Sequence, residues 1–211
     1  MENEVKQILD FYKNNIISLY LYGSYAVNDQ IEGISDYNFF LVLKNYHFSK
    51  ELSLKFPPFI FTRDELFSSI DTFPIELLDI KERGLLLFGE NILSDIEINE
   101  SDLRDQIERE LKEKLVNFRR ILNTYDKHIP NFLFRTYKSL TPILRAILYL
   151  NKLDRPKKRI YIYYQISKHF DLDYHLFLKI EETIRNYSIE NLNEFAFQFY
   201  EFLEKISKKH W

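Results

Sequence analysis

Apolar residues fall in short continuous runs in the first half of the chain and at helical spacing in the second. The short runs have the length and the aromatic or β-branched content of strands. They predict strands over residues 16–22, 37–43, 59–62, 75–80 and 85–88. Helices or helical turns are predicted between these strands, over residues 3–14, 25–29 and 64–70. The first half is therefore expected to form a small mixed sheet flanked by helices.

The second half predicts helices throughout. Ser101 and Asp102 are typical of a helix start, and an apolar stripe at helical spacing continues from there to Tyr125. Four more helices are predicted over residues 131–150, 159–169, 173–186 and 190–208. Pro142 is expected to kink or interrupt the first of these four. Short connections between the helices are typical of a helical bundle.

The distribution of charge and glycine supports this division. Residues 1–99 carry 8 Lys and Arg against 16 Asp and Glu, whereas residues 100–211 carry 21 against 16. All four glycines lie in the first half, as expected where strands and turns alternate. The expected fold class is α+β, with a small mixed β-sheet domain over residues 1–97 and an all-α helical bundle domain over residues 98–211.

Composition excludes several kinds of site. The chain has no cysteine, so disulfides, thiolate metal sites and a cysteine nucleophile are excluded. Its five histidines show no metal-ligand spacing. The chain has neither a signal-peptide pattern nor a run of about 18 uncharged apolar residues. We therefore expect a cytoplasmic location and no membrane partner.

The strongest candidate for chemistry is a Gly-Ser pair followed by two polar residues at the start of the next strand. Gly23 and Ser24 end the first predicted strand, and Asp36 and Asn38 flank the start of the second. Backbone N–H groups of a turn from Gly23 to Tyr25 can bind a phosphate. The period of a strand places Asp36 and Asn38 on one face, beside that turn. The pattern therefore indicates a phosphate site next to a potential metal ligand.

The segments Leu19-Tyr-Leu-Tyr-Gly-Ser24 and Ser35-Asp-Tyr-Asn38 resemble the signature of the DNA polymerase β-like nucleotidyltransferases. The architecture looks like that of the minimal and kanamycin-type members, which carry a C-terminal helical domain. The resemblance implies that the chain binds a nucleoside triphosphate with Mg²⁺, and that the helical domain closes over the nucleotide. The family has an acid where this chain has Asn38, which implies a site of lower charge and weaker metal affinity.

The same resemblance implies a third acid on a later strand of the sheet. Glu76, on the predicted strand 75–80, is the position that we match to it, and Asp79 is the alternative. Asp36 and Glu76 are therefore the candidate catalytic residues. Asp36, Asn38 and Glu76 are the candidate metal ligands.

Two basic features of the second half are candidates for contact with phosphate. Arg145 lies in an otherwise apolar helical segment and is expected either to bind the triphosphate or to pair with an acid of the other domain. Residues 151–159 hold five cations around a proline. Such a run is typical of a solvated connection between helices, and a phosphate or RNA contact is the alternative.

Two functions from different classes follow. The first is transfer of a nucleotidyl group from the bound nucleotide to a small molecule, or to a hydroxyl of a protein or RNA, with the acceptor left open. The second is a catalytically weakened nucleotide-binding or regulatory module, as in minimal nucleotidyltransferase antitoxins. A purely structural helical adaptor is a third alternative. The aromatic residues of segment 190–208, among them Phe197 and Tyr200, are expected to support a homodimer or a partner protein.

Overall fold

The structure, a computed structural model, describes residues 1–32, 35–47, 54–123, 129–185 and 192–209. The chain divides into two compact units, Met1–Asn99 and Glu100–Trp211. The predicted end of the apolar stripe at Tyr125 and the predicted helix ends at residues 186 and 190–191 lie outside the described residues.

The first unit contains a four-stranded mixed sheet. Its strands are β1 (Ile16–Tyr22), β2 (Asn38–Leu43), β3 (Phe59–Thr62) and β4 (Leu85–Gly89), in the order β3-β2-β1-β4. β1 runs antiparallel to β2 and β4, and β2 runs parallel to β3. The helices of this unit are α1 (Glu2–Tyr12), α2 (Arg63–Ser68) and α3 (Pro74–Arg83). The predicted small mixed sheet is confirmed.

Alternation along β1 and β2 divides the core of this unit between the two faces of the sheet. One face packs against α2 and α3, with Tyr20 and Phe40 among its buried residues. The other face packs against α1, through Leu21, Phe39 and Ile8. A shift of one residue in the pairing would exchange the two faces, so both cores act to fix the register of the strands.

One predicted strand is wrong. Residues 75–80 belong to α3. Pro74 is placed in its first turn, where the fixed φ of proline and its missing N–H suit a helix. Lys81 and Arg83 lie in the last turn, where positive charge is favourable to the helix dipole. The apolar residues of this segment, which resembled the pattern of a strand, form the wide buried face of this helix.

The second unit is helical in its described residues. Its helices are α4 (Glu100–Leu122), α5 (Ile129–Leu150), α6 (Arg159–Phe170), α7 (His175–Arg185) and α8 (Leu192–Ser207). α5 continues through Pro142 without interruption. The predicted all-α character of this half is confirmed. Within the described part of the chain, no helix has the length and apolar character needed to cross a membrane.

A buried polar network links three of these helices. Glu181 of α7 accepts hydrogen bonds from Tyr137 of α5 at 2.7 Å and from Arg159 of α6 at 3.0 and 3.2 Å. Arg185 adds an ion pair at 2.8 Å. Burial by itself would raise the pKa of Glu181, but the hydrogen bonds and charge of Arg159, with the other bonds, hold that pKa below its ordinary value. The carboxylate is therefore charged and well satisfied inside the unit.

A side chain at Gly89 would clash with the backbone of the neighbouring strand β1. Its φ is +85°, and a Cβ added to it would lie 1.9 Å from the carbonyl oxygen of Ile17. We predict that Gly89→Ala lowers the free energy of unfolding by roughly 2 kcal/mol or more, because the clash adds to an unfavourable backbone conformation. Leu86→Ala, on the same strand and 42% exposed, should cost less than about 1 kcal/mol. Urea denaturation measures both variants, and equal losses would contradict the prediction.

Candidate functional site

The end of the β1–β2 pair brings the two parts of the motif together. Tyr22, the last residue of β1, is paired with Asn38, the first residue of β2. Residues directly opposite in an antiparallel pair share a face, here the face that packs against α3. Gly23 has a φ of +75°, and a Cβ added to it would lie 2.8 Å from Nδ2 of Asn38. The absence of a side chain at Gly23 therefore allows the Asn38 carboxamide to lie directly against the turn.

The Gly-Ser turn is closed by its own backbone. Ser24 has φ −63° and ψ −37° and precedes a single 3-10 turn over Tyr25–Val27. Its carbonyl oxygen accepts hydrogen bonds from the N–H groups of Val27 at 3.3 Å and Asp29 at 2.9 Å. A positive-φ residue followed by a helical residue is a conformation in which successive N–H groups can surround an anion. The turn therefore has a backbone suited to phosphate.

Asp36 adjoins this turn. It precedes β2 by two residues, and its side chain is exposed. The pKa of Tyr25 is raised by burial first, then by Tyr37, and also by the negative charge of Asp36. The Asp36 carboxylate is therefore within electrostatic reach of the residue that follows Ser24.

Glu76 lies in the first turn of α3 and is half-buried. The pKa of Tyr22 is raised by burial first, and also by the charges of Glu76 and Asp79. Because Tyr22 is paired with Asn38, Glu76 lies near the same end of the sheet. The acid that we matched to a later strand is thus carried by a helix.

Asp79, the alternative third acid, is held in a buried ion pair. Its two carboxylate oxygens accept hydrogen bonds from Nε and Nη2 of Arg83, at 2.8 and 2.6 Å. Both side chains are less than a tenth exposed. A bidentate pair of this kind, one helical turn apart, satisfies both charges within α3. The geometry therefore gives Asp79 a structural role.

The candidate metal ligands supply few charges. None of the four strands contains Asp or Glu. Among the residues that the structure describes, no group of three or more His, Asp and Glu side chains is placed to hold a metal ion. Asp36, Asn38 and Glu76 offer two carboxylates and one amide, which are oxygen ligands of the kind that Mg²⁺ accepts together with water and phosphate. The donor chemistry fits Mg²⁺, with one charge fewer than three acids would provide.

Arg145 supports a loop of the second unit. It is 3% exposed, and its Nη1 donates hydrogen bonds to the carbonyl oxygens of Arg155, at 3.0 Å, and Pro156. These contacts show a structural role for Arg145 in holding the basic run of residues 151–159. Its contact with the nucleotide stays a prediction.

The basic run itself is partly structural. Arg159 is buried in the ion pair with Glu181, and the guanidinium of Arg155 lies 5.1 Å from the ring centre of Tyr149. Lys152, Lys157 and Lys158 are exposed. Counting charges therefore overstates how many cations of this run are available to a ligand.

Sequence analysis missed an aromatic contact beside the motif. The rings of Tyr25 and Tyr37 have centroids 4.1 Å apart at an interplanar angle of 31°. Tyr37 also meets Phe56 edge-on, with centroids 5.5 Å apart. The available signal was that these tyrosines directly follow Ser24 and Asp36, but a strand pattern gives no information on which rings meet.

We predict different defects for the two acids of α3. Asp79→Asn removes the buried counter-charge of Arg83, so the free energy of unfolding should fall by about 3 kcal/mol. Glu76→Gln, at a half-buried position, should change stability by less than about 1 kcal/mol and should weaken Mg²⁺-dependent nucleotide binding. Thermal denaturation and isothermal titration calorimetry measure the two effects. A folded Asp79→Asn variant that no longer binds Mg²⁺ would reverse the two assignments.

Comparison with known proteins agrees with this geometry at the level of the fold. The chain is similar to spectinomycin adenyltransferase AAD(9) from Enterococcus faecialis, whose crystal structure contains ATP and spectinomycin. The TM-score is 0.57 and the sequence identity 17%, over 96% of this chain and 98% of that chain. No family model and no curated protein matches the chain. The chain therefore has the α+β fold of a nucleotidyltransferase domain followed by a helical domain.

Proposed function

We propose that the chain binds a nucleoside triphosphate with Mg²⁺ at the end of the β1–β2 pair and transfers its nucleotidyl group to a hydroxyl of an acceptor. The observation that carries the proposal is the contact of Gly23 with Asn38, which joins the Gly-Ser turn to the second strand of the motif. The fold shared with an adenyltransferase solved with ATP supports it. Because that structure also holds spectinomycin, a small molecule is the acceptor class that we favour over protein or RNA.

In this proposal the Gly-Ser turn binds the phosphates. The N–H groups from Gly23 to Tyr25 and the hydroxyl of Ser24 are the donors, and their positive ends attract the negative charge of the triphosphate. A turn closed by its own backbone needs little ordering when the nucleotide binds, which favours affinity.

Asp36, Asn38 and Glu76 are the proposed ligands of Mg²⁺. Bound there, the ion would neutralise negative charge on the phosphates during transfer. Asn38 contributes an oxygen without a charge, so the three side chains carry two negative charges where three acids would carry three. Asp36 and Glu76 are the catalytic candidates because Asp36 adjoins the turn and Glu76 lies near the same end of the sheet. We expect weaker metal binding and slower turnover than a site of three acids would give.

A second candidate function is a nucleotide-binding or regulatory module without turnover. The neutral Asn38, on a sheet whose strands carry no carboxylate, favours it. This function requires nucleotide binding at the same turn but no pyrophosphate release, so turnover separates the two.

We predict that nucleotide binding depends on Ser24 and Asp36 more than on the basic run. Ser24→Ala and Asp36→Ala should each weaken the affinity for a non-hydrolysable ATP analogue with Mg²⁺ by about tenfold, because each removes a direct ligand. The double variant Lys157→Ala/Lys158→Ala should weaken it by less than about threefold, since exposed lysines provide only screened attraction. Isothermal titration calorimetry measures the three affinities.

Asp64→Ala is the matched control for loss of a carboxylate. Asp64 is exposed in the first turn of α2, so its removal should leave nucleotide affinity unchanged. A loss from Asp64→Ala as large as that from Asp36→Ala, or a larger loss from the double lysine variant, would contradict the prediction.

We predict that Asn38→Asp strengthens Mg²⁺ binding and raises the rate of nucleotidyl transfer. The aspartate has the shape of the asparagine, so it fits beside Gly23 while adding the missing charge. Pyrophosphate release with a mixture of hydroxyl acceptors measures the rate, and titration with Mg²⁺ measures the affinity.

Gln30→Glu adds the same charge at an exposed position and should change neither quantity. Stronger metal binding without any turnover would favour the binding module. A lower rate in Asn38→Asp than in an active wild type would show that the amide belongs to a working site.

A further inference from the structure

Two tyrosines bring the halves of the motif together from the face of the sheet opposite Asn38. Tyr25 directly follows Ser24, and Tyr37 directly follows Asp36. Their rings are in contact at a tilt of 31°, with centroids 4.1 Å apart, the shortest distance among the described ring pairs. We refer to Tyr25 and Tyr37 as the tyrosine pair.

The tyrosine pair is itself anchored in the core. Tyr37 meets Phe56 edge-on and stacks on Phe39 at 6.4 Å and 22°. Both tyrosines pack against the core cluster on the α1 face of the sheet. Phe39 is 1% exposed and belongs to β2, so the pair connects the turn to a rigid strand.

The ladder between β1 and β2 ends at Tyr22 and Asn38, whereas Ser24 and Asp36 each lie two residues beyond it, so strand pairing does not by itself fix the distance between them. A phosphate site and a metal ligand must keep a fixed separation to bind one nucleotide together. The contact between the two tyrosine rings supplies that restraint without occupying the face that Asn38 and Tyr22 share.

We infer that Tyr25 and Tyr37 are positioning residues for the nucleotide site: the contact between their rings holds the Gly-Ser turn against the start of β2, so that Ser24 and Asp36 act on one ligand. The inference rests on the proposed function for the identity of the ligand, and on the ring geometry for the restraint. Neither tyrosine needs to touch the nucleotide through its side chain.

The first test uses the protein without nucleotide. Tyr37→Leu keeps an apolar side chain on the α1 face but removes the ring contact with Tyr25. Amide hydrogen exchange at Val27 and Asp29, whose N–H groups close the turn on Ser24, should become at least several-fold faster. Phe73→Leu is the matched control, because Phe73 makes edge-on contacts with Phe59 and Phe61 in the core of the other face. Phe73→Leu should change the exchange rates at Val27 and Asp29 no more than it changes those in the rest of the first unit.

The second test measures affinity for a non-hydrolysable ATP analogue with Mg²⁺. Tyr25→Leu and Tyr37→Leu should each weaken it by about two- to tenfold, the range expected for loss of one aromatic pair. Tyr25→Phe and Tyr37→Phe keep both rings and should remain within about twofold of wild type. The double variant Tyr25→Leu/Tyr37→Leu should be no weaker than the worse single variant, since both act through one contact.

The outcomes separate this inference from the proposed function. Faster exchange in Tyr37→Leu, with no nucleotide bound even by wild type, would support the restraint and overturn the proposed function. Unchanged exchange in Tyr37→Leu would overturn the inference, whatever the affinities. Equal losses of affinity in Phe73→Leu and Tyr37→Leu would also overturn it, because general destabilisation would then explain both.

Discussion

The antiparallel pairing of β1 with β2 is the constraint on which the first unit depends. Both faces of this pair are buried, one against α3 and the other against α1, so a shift of one residue would move the residues of each core to the opposite face. The same register sets Tyr22 opposite Asn38 and allows the chain to turn at Gly23 against the carboxamide. Packing of apolar residues therefore determines where the polar residues of the motif meet.

The acids around this point have divided roles. Asp36 is exposed beside the turn, Glu76 comes from the start of α3, and Asp79 is neutralised by Arg83 one helical turn away. In the proposed metal site, one exposed acid, one half-buried acid and a neutral amide carry less charge to attract a metal than three acids would carry. Because of this lower charge, nucleotide binding and nucleotidyl transfer by this chain have to be measured separately.

Buried arginines of the helical unit have two structural roles. Arg159 neutralises the buried Glu181 and so connects α6 to α7, while Arg145 supports the backbone of the basic run. Each is buried, so removing either partner would leave a polar group without water or a counter-charge. The lysines of the same run are exposed, and they are the part of it most accessible to anions.

The sequence by itself determined the elements with a single dominant period. It predicted β1 and β3 with their observed bounds and the helical character of the second half, because uninterrupted apolar runs and long apolar stripes each suit one local conformation. The apolar pattern of segment 75–80 suits both a strand and a helix, and packing of its wide apolar face against the sheet, together with Pro74 in the first turn, favours the helix. The pairing of Asp79 with Arg83 follows from their i,i+4 spacing once this segment is a helix, whereas the ring contact of Tyr25 with Tyr37 was decided by tertiary structure. Contacts of this kind depend on which side chains the fold brings together, and local spacing does not contain that information.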